Sequence, residues 1–353
     1  MLCAGYGGRS DFSRTLLSLG IQHEIAPALI LTTQYVGNLT WHQNTWLPIN
    51  NFPLSTPMAT RAAYAAGTLS TAAGLNAASY PGFGNIRLQE NPLTGTYNSL
   101  QVGLRQENKW GLSYGVYYTW SHEIDDTQGS VDVDNNNPSY NPWNLKYDKG
   151  SGTLDRRHIL NINYEYKLPI FEHSAGLAHS TLGGWEIAGT VITEAGLPWA
   201  GNVAPGDGGP DTVGLGGDYR IRPNLSGKPV YTKSKIAGSG YQYLSSAHFS
   251  MPTAAWNGGA NMGFGNAGKD AVVGPGRTNF TTSLKKVFAF GERANFEFRA
   301  EAFNLFNHTQ FNAFNNNLNY KLVGGTYQPA SNFGFATGTQ DPREFEFGGK
   351  FSF

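Results

Sequence analysis

Residues 343–353 read REFEFGGKFSF, with phenylalanines and charges taking turns along the segment. Side chains of a strand alternate between faces, so Phe345, Phe347, Phe351 and Phe353 share one side. Glu344, Glu346, Lys350 and Ser352 share the other. A half-buried strand of a soluble sandwich reads similarly, so the rest of the chain must decide whether the oily side meets a core or lipid.

The same pattern recurs upstream. In GLSYGVYYTWS, Leu112, Tyr114, Val116, Tyr118 and Trp120 fall on one face. In ILNINYEYKL the oily set is Leu160, Ile162, Tyr164, Tyr166 and Leu168, against Asn161, Asn163, Glu165 and Lys167. In ANFEFRAEA it is Phe296, Phe298, Ala300 and Ala302, against Glu297, Arg299 and Glu301. Weaker alternation runs through 17–23, 29–36, 99–105, 185–195 and 279–285, giving about nine strands in all and little room for helices.

The polar faces discriminate between core and lipid. Three successive charges, Glu297, Arg299 and Glu301, or Glu344, Glu346 and Lys350, are too many for a packed interior, so that face is wet. The opposite face carries Trp120, Trp185, Tyr164 and Tyr166 near strand ends, where amphipathic rings suit a membrane interface. Phe296, Phe298, Phe345, Phe347, Phe351 and Phe353 are therefore expected to face lipid. Glu297, Arg299, Glu301, Glu344, Glu346 and Lys350 are expected to face a lumen.

Connection lengths test this independently. Short links at Ala26–Pro27, Asn108–Gly111 and Phe290–Arg293 alternate with long ones at 43–95, 124–154, 196–276 and 308–342. The link 169–184 is intermediate and falls on the short side by parity. Outer-membrane barrels have this asymmetry, with tight periplasmic turns and large extracellular loops. The expected fold is an all-β, antiparallel outer-membrane β-barrel wall of about nine strands, a partial barrel with long extracellular loops.

Composition agrees. Only 14% of the 353 residues are charged, against about 25% in ordinary soluble domains. Lys plus Arg and Asp plus Glu are equal at 25 each, so no basic field exists to attract nucleic acid. No apolar run reaches the length of a helical membrane span, and a barrel needs none. The opening MLCAGYGGRSDF shows neither the basic nor the apolar region of a secretory signal, and Cys3 alone supports no disulfide or metal cluster.

Chemistry-bearing motifs are weak. Asp132, Asp134 and Asn136 have calcium-loop spacing, but Asn137 occupies the turn glycine's place and no closing Glu follows. GFGNAGKD satisfies GxGxxG through Gly263, Gly265 and Gly268 and nearly forms a phosphate loop with Lys269, yet Asp270 replaces the Ser/Thr and no helix follows. There is no GxSxG or HExxH, and His158 beside Arg156 and Arg157 reads as a residue at the start of a strand. No catalytic residue, metal or cofactor is expected.

Several blocks in serial order carry a family resemblance: GIQHEIAPALILTTQYVGN, TYNSLQVGLRQENKWGLSYGVYYTWSHEIDD, DRRHILNINYEYKLP, LGGWEIAGTVITEAGLPW, FGNAGKDAVVGPGRTNFTTSLKKVFAF, FRAEAFNLFNHTQFN and DPREFEFGGKFSF. Together, from Leu19 to Phe353, they resemble the C-terminal barrel of Oar-like TonB-dependent receptors. The resemblance implies a Gram-negative outer-membrane protein with a wall of about 22 strands around a plugged lumen, energised through TonB. It implies that residues 1–353 are the C-terminal part of such a barrel, without the plug domain or signal peptide. The partners it implies are outer-membrane lipid, the missing N-terminal strands and plug, and the TonB system.

Two other readings stand beside a receptor or transporter fragment. One is a secreted β-sheet binding module for carbohydrate or peptide, and the other is an enzyme on a β-scaffold, for which the sequence offers no cluster. Aromatic-rich loops at 140–147 and 241–256 suit a glycan, a peptide or a chelate equally, and the long loops could be partly unordered.

Overall fold

Each alternating segment becomes one strand of a single meander. The computed structural model describes residues 2–4, 13–127, 139–171, 176–199, 201, 203, 210–216, 219–291 and 293–353. Nine antiparallel strands lie side by side in chain order. They are β1 (Ser13–Ala26), β2 (Leu29–Pro48), β3 (Ile86–Lys109), β4 (Leu112–Asp125) and β5 (His158–Lys167), then β6 (Trp185–Glu194), β7 (Arg277–Phe290), β8 (Ala294–Phe303) and β9 (Glu344–Ser352). Two short strands extend the sheet, Leu2–Ala4 parallel to the start of β3 and Gly150–Ser151 antiparallel to the end of β4. Strands β1 and β9 form the edges, and the sheet is not closed into a barrel.

Strands β5, β6 and β8 have ten residues each and β9 has nine. Ten residues span about 33 Å, which at a barrel tilt of about 40° covers roughly 25 Å of membrane. β2 and β3 run on for 20 and 24 residues, keeping their ladder until Pro48 meets Arg87. The expected link 43–95 therefore shrinks to 49–85. The alternation that marks a strand is lost there because bulges interrupt the register between Thr40 and Thr45, while the backbone pairing continues.

Short turns join β1 to β2, β3 to β4 and β7 to β8 at one rim. In the second, Trp110 and Gly111 have φ of 55° and 79°, the positive pair that matches a two-residue hairpin to strand twist. All four long connections leave the opposite rim. Helices, expected to have little room, occur among the described residues only in connections, the α-helices being α1 (Met58–Ala65) and α2 (Thr71–Ala77) after β2 and α3 (Leu177–Leu182) in the intermediate link.

The register holds one set of alternating positions on one face across the whole sheet. Leu19 lies beside Tyr35, Tyr35 beside Leu100 and Leu100 beside Trp120. Val116 lies beside Ile162, Ile162 beside Val191 and Val191 beside Phe280. Leu284 lies beside Ala300, and Ala300 beside Phe347. On the reverse face Gln34 meets Gln101, Gln101 meets Thr119, Asn163 meets Thr190 and Glu186 meets Lys285. A slip of one residue at any strand would have broken both series.

The hydrophobic core is not under the sheet. Phe52, Leu215, Ile221, Leu244, Phe264 and Phe333 are buried together, with Trp143 and Tyr147 packed against them. These residues come from all four long connections. The loops, which the sequence left open to disorder, thus share one core at the long-loop rim, and we call this unit the cap.

Candidate functional site

Of the twelve wall residues singled out in the sequence, the eleven within β8 and β9 divide by parity between the two faces of the sheet. Phe296 pairs with Phe351 and Ala302 with Phe345, while Phe347 lies opposite Ala300 and Phe298 opposite Gly349. Phe347 is 73% exposed, and the Phe296 ring lies across Gly349, where an added Cβ would come within 2.9 Å. Phe353 follows the last strand residue and its ring lies 6.2 Å from that of Phe351. On the reverse face Arg299 bridges Glu297 at 3.3 Å and Glu301 at 3.5 Å. Arg299 thereby offsets the like-charge pair formed where Glu301 meets Glu346, while Glu297 meets Lys350.

Aromatic rings cluster at both ends of the apolar face. Trp120 and Trp41 stand at the long-loop end, and Trp185 and Phe288 at the short-turn end. One cation interrupts that face. Lys286 sits between Trp185 and Phe298 in the register, and its ammonium group donates to the Gly183 carbonyl at the rim. Its aliphatic stem lies on apolar surface while the charge leaves it.

The cap is held by buried polar ties as well as by its core. Arg61 is fully buried and donates Nε and Nη2 to the Val213 carbonyl at 2.9 and 2.7 Å. Asp211 accepts from the amides of Val213 and Gly214 and from the Tyr219 hydroxyl, at 2.9, 2.8 and 2.6 Å. Burial, then the Asp211 charge, push the Tyr219 hydroxyl well up, so it stays a donor. Arg222 donates to Asp148 at 2.6 Å and to the Tyr147 carbonyl at 2.7 Å, and lies between the rings of Tyr140 and Tyr147. Asp148 also accepts from the Ser139 hydroxyl at 2.6 Å and the Tyr140 amide at 3.0 Å. Burial pushes its carboxyl up, with Arg222 the first of the influences opposing that rise.

The glycine-rich stretch 263–270 serves this packing. Gly263 and Gly265 have φ of 88° and 79°, and a Cβ would lie 2.3 Å from the Thr212 carbonyl oxygen and 2.1 Å from that of Arg222. Lys269 pairs with Asp125 and donates to the Thr127 carbonyl at 3.0 Å, so its ammonium group is not presented to a phosphate. Asp270 accepts from the Ser151 amide and hydroxyl at 3.0 and 2.9 Å. Burial alone would raise its carboxyl, but these bonds hold it below the usual value. The calcium-like spacing at Asp132, Asp134, Asn136 and Asn137 lies outside the described residues. Among the described residues no three metal-ligating side chains cluster. His158 opens β5 on the apolar face, its Nδ1 2.7 Å from the Tyr118 hydroxyl.

A groove opens where the polar face meets the cap. Its larger part, about 520 Å³, is lined by the apolar Leu197, Pro198, Trp199, Phe311 and Phe314 and by the polar Arg156, Arg277 and Asn316. A smaller hollow of about 230 Å³ continues from it past Arg277 and Gln340 to Asn279, Asn304 and Glu344. Glu194 ties the charges, accepting Arg277 Nε at 2.7 Å and Arg156 Nε at 3.3 Å. The rings of Trp199 and Phe314 are 4.6 Å apart. Gln310 fixes the floor by accepting the Thr278 amide at 2.7 Å and, through its carbonyl, the Gln340 amide at 2.8 Å.

The groove was not legible in the sequence, because its residues come from β7, β8, β9 and three connections. The aromatic loops that were legible do other work: Tyr147, Tyr243 and Phe249 pack in or against the cap core, and the Tyr147 hydroxyl donates to the Phe264 carbonyl. The one local hint was the Trp199 of GLPW, standing just beyond an alternating strand.

Residues 15–346 match the family described as the outer membrane beta barrel domain. No curated protein matches the chain. Among solved structures the chain is similar to the outer membrane transporter YddB from Escherichia coli, at 10% identity and a TM-score of 0.44. That alignment covers 96% of this chain and 32% of the transporter, so the chain spans about a third of that protein's length.

Proposed function

The chain belongs to the outer membrane beta barrel domain family, and from that membership we propose that it forms part of the wall and the capturing cap of an outer-membrane transporter energised through TonB. The observation that carries this reading is the division of nine strands into an apolar and a polar face, with Lys286 the one cation on the apolar side among the described residues and every long connection gathered at one rim. Phe296, Phe298, Phe345, Phe347, Phe351 and Phe353 then meet lipid, and Glu297, Arg299, Glu301, Glu344, Glu346 and Lys350 line the water-filled side. The cap faces the cell exterior and its groove receives the ligand, which passes along the polar face. The protein's role is passage rather than covalent chemistry. Further wall strands complete the transporter, because the edges β1 and β9 would otherwise leave backbone groups unsatisfied in hydrocarbon, and the TonB reading adds a plug.

Spin labels test the facing. Nitroxides at Phe298→Cys and Phe347→Cys should be relaxed by oxygen, and those at Arg299→Cys and Glu346→Cys by a water-soluble nickel chelate. Equal chelate access at all four sites would sink the reading. Energisation is tested by comparing depletion of a defined nutrient mixture by cells carrying the protein, with and without TonB. Identical depletion profiles would remove the TonB part of the proposal.

A further inference from the structure

Resting on the proposal that the groove receives the ligand, we infer that its larger part binds a monoanion with an apolar body, the chemistry of a small carboxylate carrying an aromatic or branched aliphatic group. Arg156 and Arg277 both line this part, and its described lining residues include no carboxylate. Glu194 supplies one negative charge against their two, and both guanidinium groups share its single Oε2 oxygen. One positive charge is left in excess. The donors that remain are accessible. Arg156 gives Nη1 to the Ala195 carbonyl at 2.6 Å, and its Nη2 has no partner among the described residues. Arg277 engages Glu194 through Nε alone, so both of its Nη groups are uncommitted. The two side chains are 26% and 42% exposed, within reach of a molecule in the groove.

The Nη1–Nη2 end of a guanidinium pairs with a planar carboxylate through two parallel bonds. A neutral amide offers a single oxygen there and turns its own N–H groups toward a cation, and an amine is repelled. The apolar wall selects the body. Leu197, Pro198, Trp199, Phe311 and Phe314 line the same hollow, whose volume lies in the range of small-molecule sites. An inorganic anion would leave that surface wet. Charge beyond the groove points the same way. The hairpin of residues 231–244 backs the apolar wall, with Tyr241 stacked on Phe311 at 4.2 Å and Tyr243 5.3 Å from Phe314. Lys235 lies beside Tyr241 in the hairpin register, and Lys233 stands over the Tyr243 ring. Neither lysine forms an ion pair among the described residues. Residues 219–269 hold four lysines and two arginines but no Asp or Glu, so this rim raises the local concentration of anions. Asp341 and Glu344 line the smaller hollow, which confines an anion to the larger part.

The test uses the full chain in detergent micelles, with N-acetyl-leucine, N-acetyl-phenylalanine and N-acetyl-tryptophan as probes. Their primary amides are the neutral counterparts, and empty micelles are the blank. Calorimetry and saturation-transfer NMR should show saturable binding of at least one acid, about tenfold tighter than its amide and tighter than acetate or inorganic phosphate. Affinity for the acid should fall between about 50 mM and about 0.5 M salt while that for the amide holds. The double variant Lys233→Gln, Lys235→Gln should flatten that fall. Arg277→Gln should bring acid and amide within about twofold of each other, whereas Trp199→Ala should weaken both about tenfold. Resistance of Lys269 to trypsin in each variant establishes that the cap is folded. Failure of all three acids with a folded cap, equal affinity for acid and amide, preference for inorganic phosphate, discrimination that survives Arg277→Gln, or indifference to Trp199→Ala would overturn the inference. The spin-label result is independent of ligand, so it separates failure of this inference from failure of the transporter reading.

Discussion

Replacing Arg222 by Met should open the cap without disturbing the wall. Arg222 and Asp148 are 0% and 1% exposed, so neither charge is screened by solvent. Removing one partner of a buried pair costs about 3–5 kcal/mol, because the other charge is left uncompensated. Asp148 keeps its bonds from Ser139 and Tyr140, which places the loss near the lower end, about 3 kcal/mol. Methionine fills the space between the Tyr140 and Tyr147 rings, so packing loss adds little. The assay is native-state proteolysis at Lys269, which is 8% exposed and becomes a trypsin site when the cap opens. When opening is fast relative to cleavage, the rate follows the open population, and about 3 kcal/mol raises it on the order of 100-fold. The double variant Arg222→Met with Asp148→Asn removes both charges and should recover at least half of the loss. Cleavage after Lys235, on the exposed hairpin of residues 231–244, should be unchanged throughout. Less than about threefold acceleration in the single variant, or no recovery in the double, would refute the claim that this pair holds the cap.

On intact cells, trypsin should cut after Lys233 or Lys235 and spare Lys109 at the opposite rim, and the reverse pattern would invert the sidedness. Phe347→Arg should cost about 2–4 kcal/mol at mid-membrane depth in vesicle folding titrations and Glu346→Arg far less, so equal penalties would dismiss the facing. The depressed Asp270 carboxyl contributes stability that is present above its unfolded value of about 4 and is lost as pH falls through the lower folded value. Asp270→Asn should therefore flatten the acid limb of cap opening, read by cleavage with an acid-active protease; an unchanged limb would assign it to other carboxylates.

The wall was legible because its information is local. Two residues decide a face, so Phe296 against Glu297 or Ile162 against Asn163 could be assigned before any neighbour was known, and strand order followed chain order. The cap was not, because its determinants are distant in sequence. Arg61 reaches a carbonyl at Val213, and Arg222 reaches a carboxylate at Asp148, each far outside any periodic window. Lys269 was readable as a phosphate-loop residue only while Asp125 was unseen. Composition could not decide the role of 140–147 and 241–256, where aromatic richness marks packing against the core as readily as a ligand platform. The groove is legible only once three connections and the strand ends beside them are brought together, and that juxtaposition exists only in three dimensions.

Strand parity constrains how this wall is completed. The chain enters β1 running toward the short-turn rim, reverses at each connection, and so runs toward the same rim in β9. Bringing these two edges together would pair them in parallel, against the antiparallel order of every other neighbour in the nine-strand path. A second copy of this wall, sharing its orientation in the membrane, presents the same mismatch, since its β1 would also run parallel to the first copy's β9. Antiparallel closure therefore requires an odd number of further strands between β9 and β1, whether from the same polypeptide or another. The wall of about 22 strands implied by the family resemblance leaves roughly 13, an odd number, to be supplied. Either source of strands keeps antiparallel order at both edges; self-association of these nine would pair them in parallel, which is slightly less stable per residue.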